Sequence, residues 1–106
     1  MILRLIDTVN NTVATYPSTV PKNTVLPYCF YDIVATDFIG QSTIWRDETV
    51  LLNVVDDSLA DLITLCNTLE SSLNSLVKYA IISSNTRFDE VENLYIRSYL
   101  VESLKG

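Results

Sequence analysis

The feature that most constrains the fold is an apolar stripe in the middle of the chain, where apolar residues recur at steps of three and four. That spacing aligns side chains along one face of an α-helix. Just upstream, Asp56, Asp57 and Ser58 offer good N-cap side chains, and the two acids suit the positive end of a helix. We therefore predict an amphipathic helix of about five turns. The stripe comprises Leu59, Leu62, Ile63, Cys66, Leu69, Leu73 and Leu76.

Two segments before this helix have the composition of β-strands. Residues 25–35 are rich in aromatic and β-branched side chains, which favour a strand. Pro27 belongs at the start of that strand or on an unpaired edge, because proline lacks an N–H. A second strand is predicted from residue 43 to 55, with a charged outer half and an inner half that is apolar on both faces. Residues 37–42 contain Gly40 and predict the loop between the strands.

The last third of the chain predicts a long hairpin. One strand covers 77–82, and residues 83–86 form either a bend or a polar continuation of it. The turn lies near Asp89 and Glu90, and the returning strand covers 94–101. Alternation divides this last strand into a predicted core face and an amphipathic face. The core face carries Leu94, Ile96 and Leu100, and the amphipathic face carries Tyr95, Arg97, Tyr99 and Val101.

The first segment predicts a short amphipathic helix, and the whole chain predicts one domain. Apolar residues from Ile2 to Val13 fall on one helical stripe, which should end before Tyr16-Pro17. Residues 17–24 then form a connector of proline and small polar residues. Because 106 residues suffice for one core and not for two, residues 1–106 form a single domain. The predicted class is α+β, with a mixed or antiparallel sheet of about four strands, in two hairpins, packed on the central helix.

The charge balance limits what the chain can bind. Thirteen acids against seven bases give a net charge of −6. That charge argues against a sequence-independent grip on a nucleic-acid backbone and disfavours binding to anionic membrane. No stretch approaches the roughly 18 apolar residues of a membrane span, and the N-terminal residues lack the features of a signal peptide.

The residues of the common catalytic and metal sites are missing. The chain has no histidine and only two glycines, which excludes the usual triads, P-loops and dinucleotide-binding motifs. Cys29 and Cys66 lie in separate apolar segments and are interpreted as buried free thiols. We therefore expect no enzyme activity, no cofactor and no metal site. Two acidic groups suit helix capping and a charged turn instead: Asp56, Asp57 and Asp61, and Asp89, Glu90 and Glu92.

The residues around Trp45 have the composition of a protein-binding surface. Trp45 is followed by the charged run Arg46, Asp47 and Glu48 on a predicted protruding hairpin. A tryptophan beside charges is typical of an interface, so these four residues are candidate interface residues. The alternative is that Trp45 covers the edge of the core.

The last predicted strand supplies a second candidate interface. Tyr95, Arg97 and Tyr99 share one face of that strand, and tyrosine and arginine are enriched at binding hot spots. The alternative is an ordinary cation–π stripe on a solvent-facing strand.

The order of elements and several motifs resemble a known family. The pairs Tyr16-Pro17 and Pro27-Tyr28 lead into the first long strand. The second strand runs through 48–57 directly into the central helix, and residues 95–101 form the closing strand. In these features the chain resembles the tail terminator, or tail-completion, proteins of long-tailed bacteriophages.

This resemblance implies a structural protein of the virion, assembled in the host cytoplasm. A member of that family would form a homo-oligomeric ring, a hexamer, that caps the finished tail tube and joins it to the head connector. Its partners would be further copies of itself, the tail tube protein and the head connector or neck protein, with no membrane. DNA would pass through the ring without specific binding, and a net charge of −6 is compatible with that passage.

Two other functions stay open at this point. Another connector or neck protein at the same junction would use the same kind of small α+β domain in a ring. A protein of a different class, an acidic inhibitor that mimics nucleic acid, would need acids clustered on one face. The thirteen acids here are spread along the sequence, which disfavours that second function.

Overall fold

The computed structural model describes residues 2–18, 20–21, 24–37, 46–76 and 79–103. Two helices and five strands occupy these ranges: α1 (Ile2–Thr12), β1 (Thr15–Pro17), β2 (Tyr28–Asp37), β3 (Arg46–Asp56), α2 (Leu59–Asn74), β4 (Tyr79–Asp89) and β5 (Leu94–Ser103). Within these ranges, no helix is long and apolar enough to cross a membrane.

The five described strands form one mixed sheet in the order β1-β2-β3-β5-β4. The pairs β2–β3, β3–β5 and β4–β5 are antiparallel, whereas β1 is parallel to β2. The predicted α+β class, with two hairpins, a central helix and a short N-terminal helix, is confirmed. The strand that the sequence did not predict is β1, which has three residues.

The central helix lies where its apolar stripe predicted it. Ser58 is the N-cap, and its hydroxyl accepts a hydrogen bond from the Asp61 N–H at 3.4 Å. Asp61 lies in the first turn, where the helix dipole stabilises a carboxylate. The helix ends at Asn74, two residues before the end of the predicted stripe at Leu76.

The core lies between the two helices and one face of the sheet. α1 contributes Leu5 and Val9 to it, and Val13 follows directly after the helix; all three belong to the predicted stripe. Each fully buried valine or leucine stabilises the fold by roughly 1.5–3 kcal/mol, so this layer is the main source of stability. The sheet and α2 contribute Cys29, Val50, Leu52, Val54, Leu62, Cys66, Leu69, Leu73, Tyr79, Tyr99 and Val101.

The chain leaves α1 through a polar contact and enters β1 at once. The Asn10 side chain accepts a hydrogen bond from the Thr15 N–H at 3.0 Å, just past the end of the helix. The Cys29 N–H then donates to the Ala14 carbonyl at 2.8 Å, which starts the parallel pairing of β1 with β2. The prediction that the helix ends before Tyr16-Pro17 is confirmed.

The polar run after the first strand of the last hairpin continues that strand. Residues 83–86 pair with β5, after a register shift between Ile81 and Ser83. The hairpin closes where Asp89 accepts hydrogen bonds from the N–H groups of Val91 (3.0 Å) and Glu92 (3.3 Å). Of the two open interpretations of this run, the polar continuation is therefore correct.

Several predicted strand bounds change, and β2 and β3 end at Asp37 and Asp56 rather than at residues 35 and 55. β2 begins at Tyr28 rather than at residue 25. β5 extends to Ser103, beyond the predicted end at residue 101. Most of the loop predicted at 37–42 and the start of the strand predicted from residue 43 lie outside the described residues.

The prediction for the two faces of β5 is wrong. Tyr99 and Val101 are fully buried in the core under α2, on the face that was predicted to be amphipathic. Ile96 is buried as well, on the opposite face, where it pairs with Val55 of β3. A tyrosine can be buried in a core when its hydroxyl forms a hydrogen bond there. The alternation of apolar residues along the strand does not predict such a bond.

Candidate protein interface

The structure brings one of the two predicted interface clusters together. Tyr95, Arg97 and Tyr99 alternate along β5 and share the face toward α2. Trp45 lies outside the described residues. For Arg46–Glu48 the structure describes the backbone, which forms the start of β3 and pairs with the end of β2.

Arg97 is the centre of a hydrogen-bond network that joins three elements. Its Nε donates to the Tyr99 hydroxyl at 2.8 Å. Its Nη1 donates to the Thr86 hydroxyl at 2.7 Å, and its Nη2 donates to the Ser84 hydroxyl at 3.3 Å. Nη2 also lies 3.7 Å from Glu70 Oε2 on α2. The guanidinium thereby ties β4 and β5 to the helix.

Tyr99 completes this network from inside the core. Its hydroxyl donates to Glu70 Oε2 at 2.6 Å. Burial raises the pKa of the Tyr99 phenol far above its usual value, and the bond to Glu70 raises it further. Burial also raises the pKa of the neighbouring Cys66 thiol, although the Tyr99 hydroxyl and the Arg97 charge oppose that rise. Both groups are therefore neutral in the folded protein.

These contacts divide the predicted cluster into a buried part and a surface part. Tyr99 is fully buried inside the chain. The Arg97 side chain is 27% exposed. Its Cζ lies over the Tyr99 ring, 5.2 Å from the ring centroid, in a cation–π contact. Tyr95 is half-buried against Phe88 of β4, with ring centroids 4.8 Å apart. The surface of this cluster is thus Arg97, Tyr95 and Phe88, held in place by Glu70 and Tyr99.

An apolar strip continues this surface onto the helix. Ile63 and Leu59 of α2 are 49% and 42% exposed, and Phe88 on the hairpin is 44% exposed. Ile63 and Arg97 line a small groove of about 110 Å³ together with Cys66, Asn67 and Glu70. Exposed large apolar side chains beside an arginine and tyrosines are the composition of a protein-binding surface. The exposure of Ile63 and Leu59 was not predicted, because both belong to the apolar stripe that predicted burial.

The outer half of β4 is a second exposed surface. From Ile82 to Phe88 every side chain is exposed, and β4 is the end strand of the described sheet. Ser83 and Asn85 line a groove of about 230 Å³ that also includes Leu51, Ser98 and Leu100. The signal for this surface was the polar run 83–86, which the sequence left open between a bend and a strand.

The face of the sheet opposite α2 carries a neutral pair, Ser98 and Asn53, with Arg87 at its outer end. The Ser98 hydroxyl donates to Asn53 Oδ1 at 2.7 Å. It also accepts a hydrogen bond from Arg87 Nη1 at 3.3 Å. Asn53 is buried, and the Ser98 hydroxyl supplies the hydrogen bond that its amide oxygen would otherwise take from water. Among the described residues, Arg87 forms no ion pair and leaves its charge at the β4 edge.

Six of the acids converge at one end of the molecule. The pairing of Asp56 with Tyr95 and of Asp89 with Leu94 brings the end of β3 to the hairpin turn. Burial raises the pKa of Asp56, and the charges of Asp57 and Asp61 add to the rise. The acids are Asp56, Asp57, Asp61, Asp89, Glu90 and Glu92.

The described residues offer no metal centre, and the cysteines are unpaired. Among the residues that the structure describes, no three Cys, Asp or Glu side chains are grouped so that they could hold a metal ion. Cys29 and Cys66 are free and buried, as the sequence predicted. Burial raises the pKa of the Cys29 thiol to about 12, so it is protonated and unreactive in the folded protein.

Comparisons with known proteins identify a shared fold. No protein-family model matches the chain, and no curated protein matches it. The chain is similar in structure to a chain in the solved virion of a native gene transfer agent particle, with a TM-score of 0.64. The likeness covers 93% of this chain and 81% of that chain at 11% sequence identity. At this identity the likeness shows that the two chains share their fold.

Proposed function

We propose that this protein is a structural component of a phage or prophage virion that forms a ring at the head–tail junction. In this proposal the ring caps the finished tail tube and joins it to the head connector. The observation that carries the proposal is the fold shared with a chain of a virion, over 93% of this chain and 81% of that chain. The resemblance of the sequence to tail terminator proteins, from Tyr16 onward, supports the same function.

The surfaces of the domain suit assembly better than catalysis. The apolar strip formed by Leu59, Ile63 and Phe88 lies beside the Arg97 network, and β4 presents a long exposed edge. Both are surfaces that protein partners cover in stable complexes. We assign the strip and the Trp45–Glu48 segment to contacts with the tail tube and the connector.

The acidic end has a role of its own in this proposal. Copies related by rotation would bring the six acids of each domain to one rim of the ring. A negatively charged rim repels the phosphate backbone, so DNA would pass without adhering. The negative net charge of the chain, with seven bases against thirteen acids, supports this role.

Electron microscopy of the purified protein tests the ring directly. We expect rings with six-fold symmetry, either alone or on the ends of purified tail tubes, and co-sedimentation of the protein with those tubes. Replacement of Ile63 by aspartate should reduce co-sedimentation strongly, because the strip would lose its apolar character. Thr68→Asp is the matched control, since it adds the same charge at an exposed position of α2 outside the groove that Ile63 lines.

The same experiment separates the terminator from the other ring proteins of the junction. A terminator binds tail tubes without the head, whereas a connector or neck protein binds tail-less heads and ignores free tubes. Rings that bind only heads would therefore favour the neck protein. A protein that forms no rings and binds neither structure would contradict the proposal.

The acidic end also supports a second candidate function, an inhibitor that mimics nucleic acid, because it places six acids together. Such an inhibitor must compete with DNA for a basic protein surface, so its action disappears when the acids are neutralised. Replacing Asp89, Glu90 and Glu92 with their amides would abolish that competition. A virion ring protein would still assemble after these replacements.

A further inference from the structure

In the described part of the chain, the sheet has an edge without a partner strand on each side, and the two edges match. On one side β4 is the last strand, so its outer edge lacks a partner strand among the described residues. On the other side β1 pairs only with Cys29, Phe30 and Tyr31. β2 continues to Asp37, so from Asp32 onward it also lacks an outer partner strand within the described part of the chain.

Alternation along β2 decides which residues face its free edge. The Cys29 N–H donates to the Ala14 carbonyl, on the outer side of β2. Since backbone groups alternate from side to side along a strand, the N–H and C=O groups of Ile33 and Ala35 also point outward. Their neighbours in sequence point inward and bond to β3.

The same alternation can be followed across the sheet to β4. Ile33 of β2 is opposite Val50 of β3. Val50 is in turn opposite Val101 of β5. Val101 is opposite Ile81 of β4. Because the Ile33 groups point away from β3, those of Val50 point to β5, and those of Val101 point back to β3. The backbone groups of Ile81 are therefore turned away from β5, to the outer edge of β4.

Ile33 and Ile81 thus stand in one row, at opposite edges of one sheet, and both offer backbone groups outward. Three antiparallel pairings separate the two strands, so β4 runs opposite to β2. A rotation about an axis along the strands would bring the Ile81 edge of one copy against the Ile33 edge of the next. The two edges would meet at the same height and in antiparallel orientation, over the short stretch from Asp32 onward, because β1 occupies the outer side of β2 at Cys29–Tyr31.

The side chains at these edges favour contact with a partner. Ile33 is 51% exposed, and Ile82, next to Ile81, is 54% exposed. Proteins usually protect free edges with charged side chains, proline, a β-bulge or a covering element. Residues 79–83 of β4 and 32–37 of β2 contain no lysine and no proline. The register shift between Ile81 and Ser83 limits the regular part of the β4 edge to 79–81, and within that limit exposed apolar side chains are features of a strand that pairs with another chain.

We propose that β4 pairs at Ile81 with β2 at Ile33 of a second copy of this chain, so that the sheet continues from copy to copy around the ring. This inference rests on the homo-oligomer of the proposed function and names the edges that hold it together. The contact is head-to-tail, because it joins two different edges, and such contacts close into rings when the rotation permits.

Engineered cysteines test the pairing. Residues opposite each other at such a junction have Cα atoms roughly 5.5 Å apart, within the range that a disulfide spans. We expect the double variant Ile33→Cys/Ile81→Cys to form a ladder of covalent oligomers on oxidation, up to the size of the ring. Cys29 and Cys66 are buried and will not contribute in the folded protein.

Matched controls give the experiment its specificity. Each single variant should stay monomeric on a denaturing gel, because the junction joins two different edges. Ile33→Cys/Phe88→Cys should give no ladder, since Phe88 lies seven residues along β4 from Ile81, roughly 20 Å away. Dimers from Ile81→Cys alone would show that β4 pairs with β4, and would overturn the inference.

The outcomes separate this inference from the proposed function. Rings seen by electron microscopy without cross-linking of the double variant would overturn the pairing and leave the ring intact. Cross-linked rings that bind neither tubes nor heads would support the pairing and contradict the virion role. A protein that stays monomeric at high concentration and on tail tubes would contradict both.

A proline variant tests the backbone contribution separately. Ile33→Pro removes an N–H that points outward and leaves the hydrogen bonds of β2 with β3 in place. We expect a folded protein whose oligomers dissociate at about tenfold higher concentration. Ile33→Ala keeps the N–H and is the control for loss of the side chain. Equal dissociation of both variants would contradict backbone pairing.

Discussion

The two faces of β5 bury polar groups in different ways. Toward α2, Arg97 and Tyr99 reach Glu70 and form a charged network that joins the hairpin to the helix. On the other face, Ser98 donates to Asn53 in a neutral pair between neighbouring strands. One strand therefore carries an ionic contact to the helix on one side and a neutral contact to the neighbouring strand on the other.

This difference teaches which contacts define the tertiary structure. The charged network positions the hairpin against α2 and is favourable only while all its members are present, because each loss leaves a partly buried polar group without a partner. The neutral pair spans two strands that are already joined by their backbone. We therefore expect changes on the face toward α2 to have the larger effects.

Replacing Tyr99 with alanine should have the largest effect. The variant loses a fully buried aromatic ring and frees the Glu70 carboxylate, so we expect a loss of about 3–5 kcal/mol in the free energy of unfolding. Urea denaturation followed by circular dichroism measures this loss. Leu100→Ala on the other face is the control, with an expected loss of about 1–2 kcal/mol because Leu100 is only half-buried. Equal losses would show that the two faces contribute alike.

The position of Tyr99 marks the limit of prediction from the sequence. Local periodicity located α1 and α2, because each has its apolar stripe within a few turns. The face of β5 depends instead on Glu70, 29 residues away in sequence, whose carboxylate allows a tyrosine and an arginine to lie under the helix. The apolar pattern of β5 predicted that the face with Leu94 and Leu100 is buried. That pattern does not include the effect of a distant hydrogen-bond partner.

β1 and the edge of β4 were missed for related reasons. β1 has three residues and exists through its pairing with Cys29, which no alternation within the segment indicates. The serines, asparagine and threonine of 83–86 form a strand because β5 supplies their backbone partners. Of the candidate interface, the sequence predicted Tyr95 and Arg97, but not Ile63 or the free edge of β4.

Replacing Arg97 with methionine should have the next largest effect. Methionine keeps the apolar stem and removes the donors to Ser84, Thr86 and Tyr99, so we expect a loss of about 1–3 kcal/mol. Hydrogen exchange should also become faster in the outer half of β4. Arg87→Met on the opposite face is the matched control, and its loss should stay within about 0.5 kcal/mol. Similar losses for both arginines would remove the distinction between the faces.

The neutral pair should give a smaller effect that is confined to two residues. Asn53→Ala removes the acceptor of the Ser98 hydroxyl, and we expect a loss of about 1–2 kcal/mol. In a double-mutant cycle with Ser98→Ala, the coupling should be about 1 kcal/mol. A cycle of Asn53→Ala with Arg97→Met should give almost no coupling, because the two networks lie on opposite faces. Strong coupling in the second cycle would show that the faces communicate.

The smallest expected effect is Tyr99→Phe, which loses one hydroxyl and about 1 kcal/mol at neutral pH. Its diagnostic is the dependence of stability on alkaline pH. Burial and Glu70 raise the pKa of Tyr99 above the value of about 10 that it has in the unfolded chain. The unfolded chain therefore releases this proton first, so the contribution is complete below pH 10 and is lost as the pH rises above it. Wild-type protein should lose more stability above pH 10 than Tyr99→Phe does, and Glu70→Gln should reduce the slope in the same direction. Parallel pH curves for wild type and Tyr99→Phe would show that the hydroxyl is not held by this network.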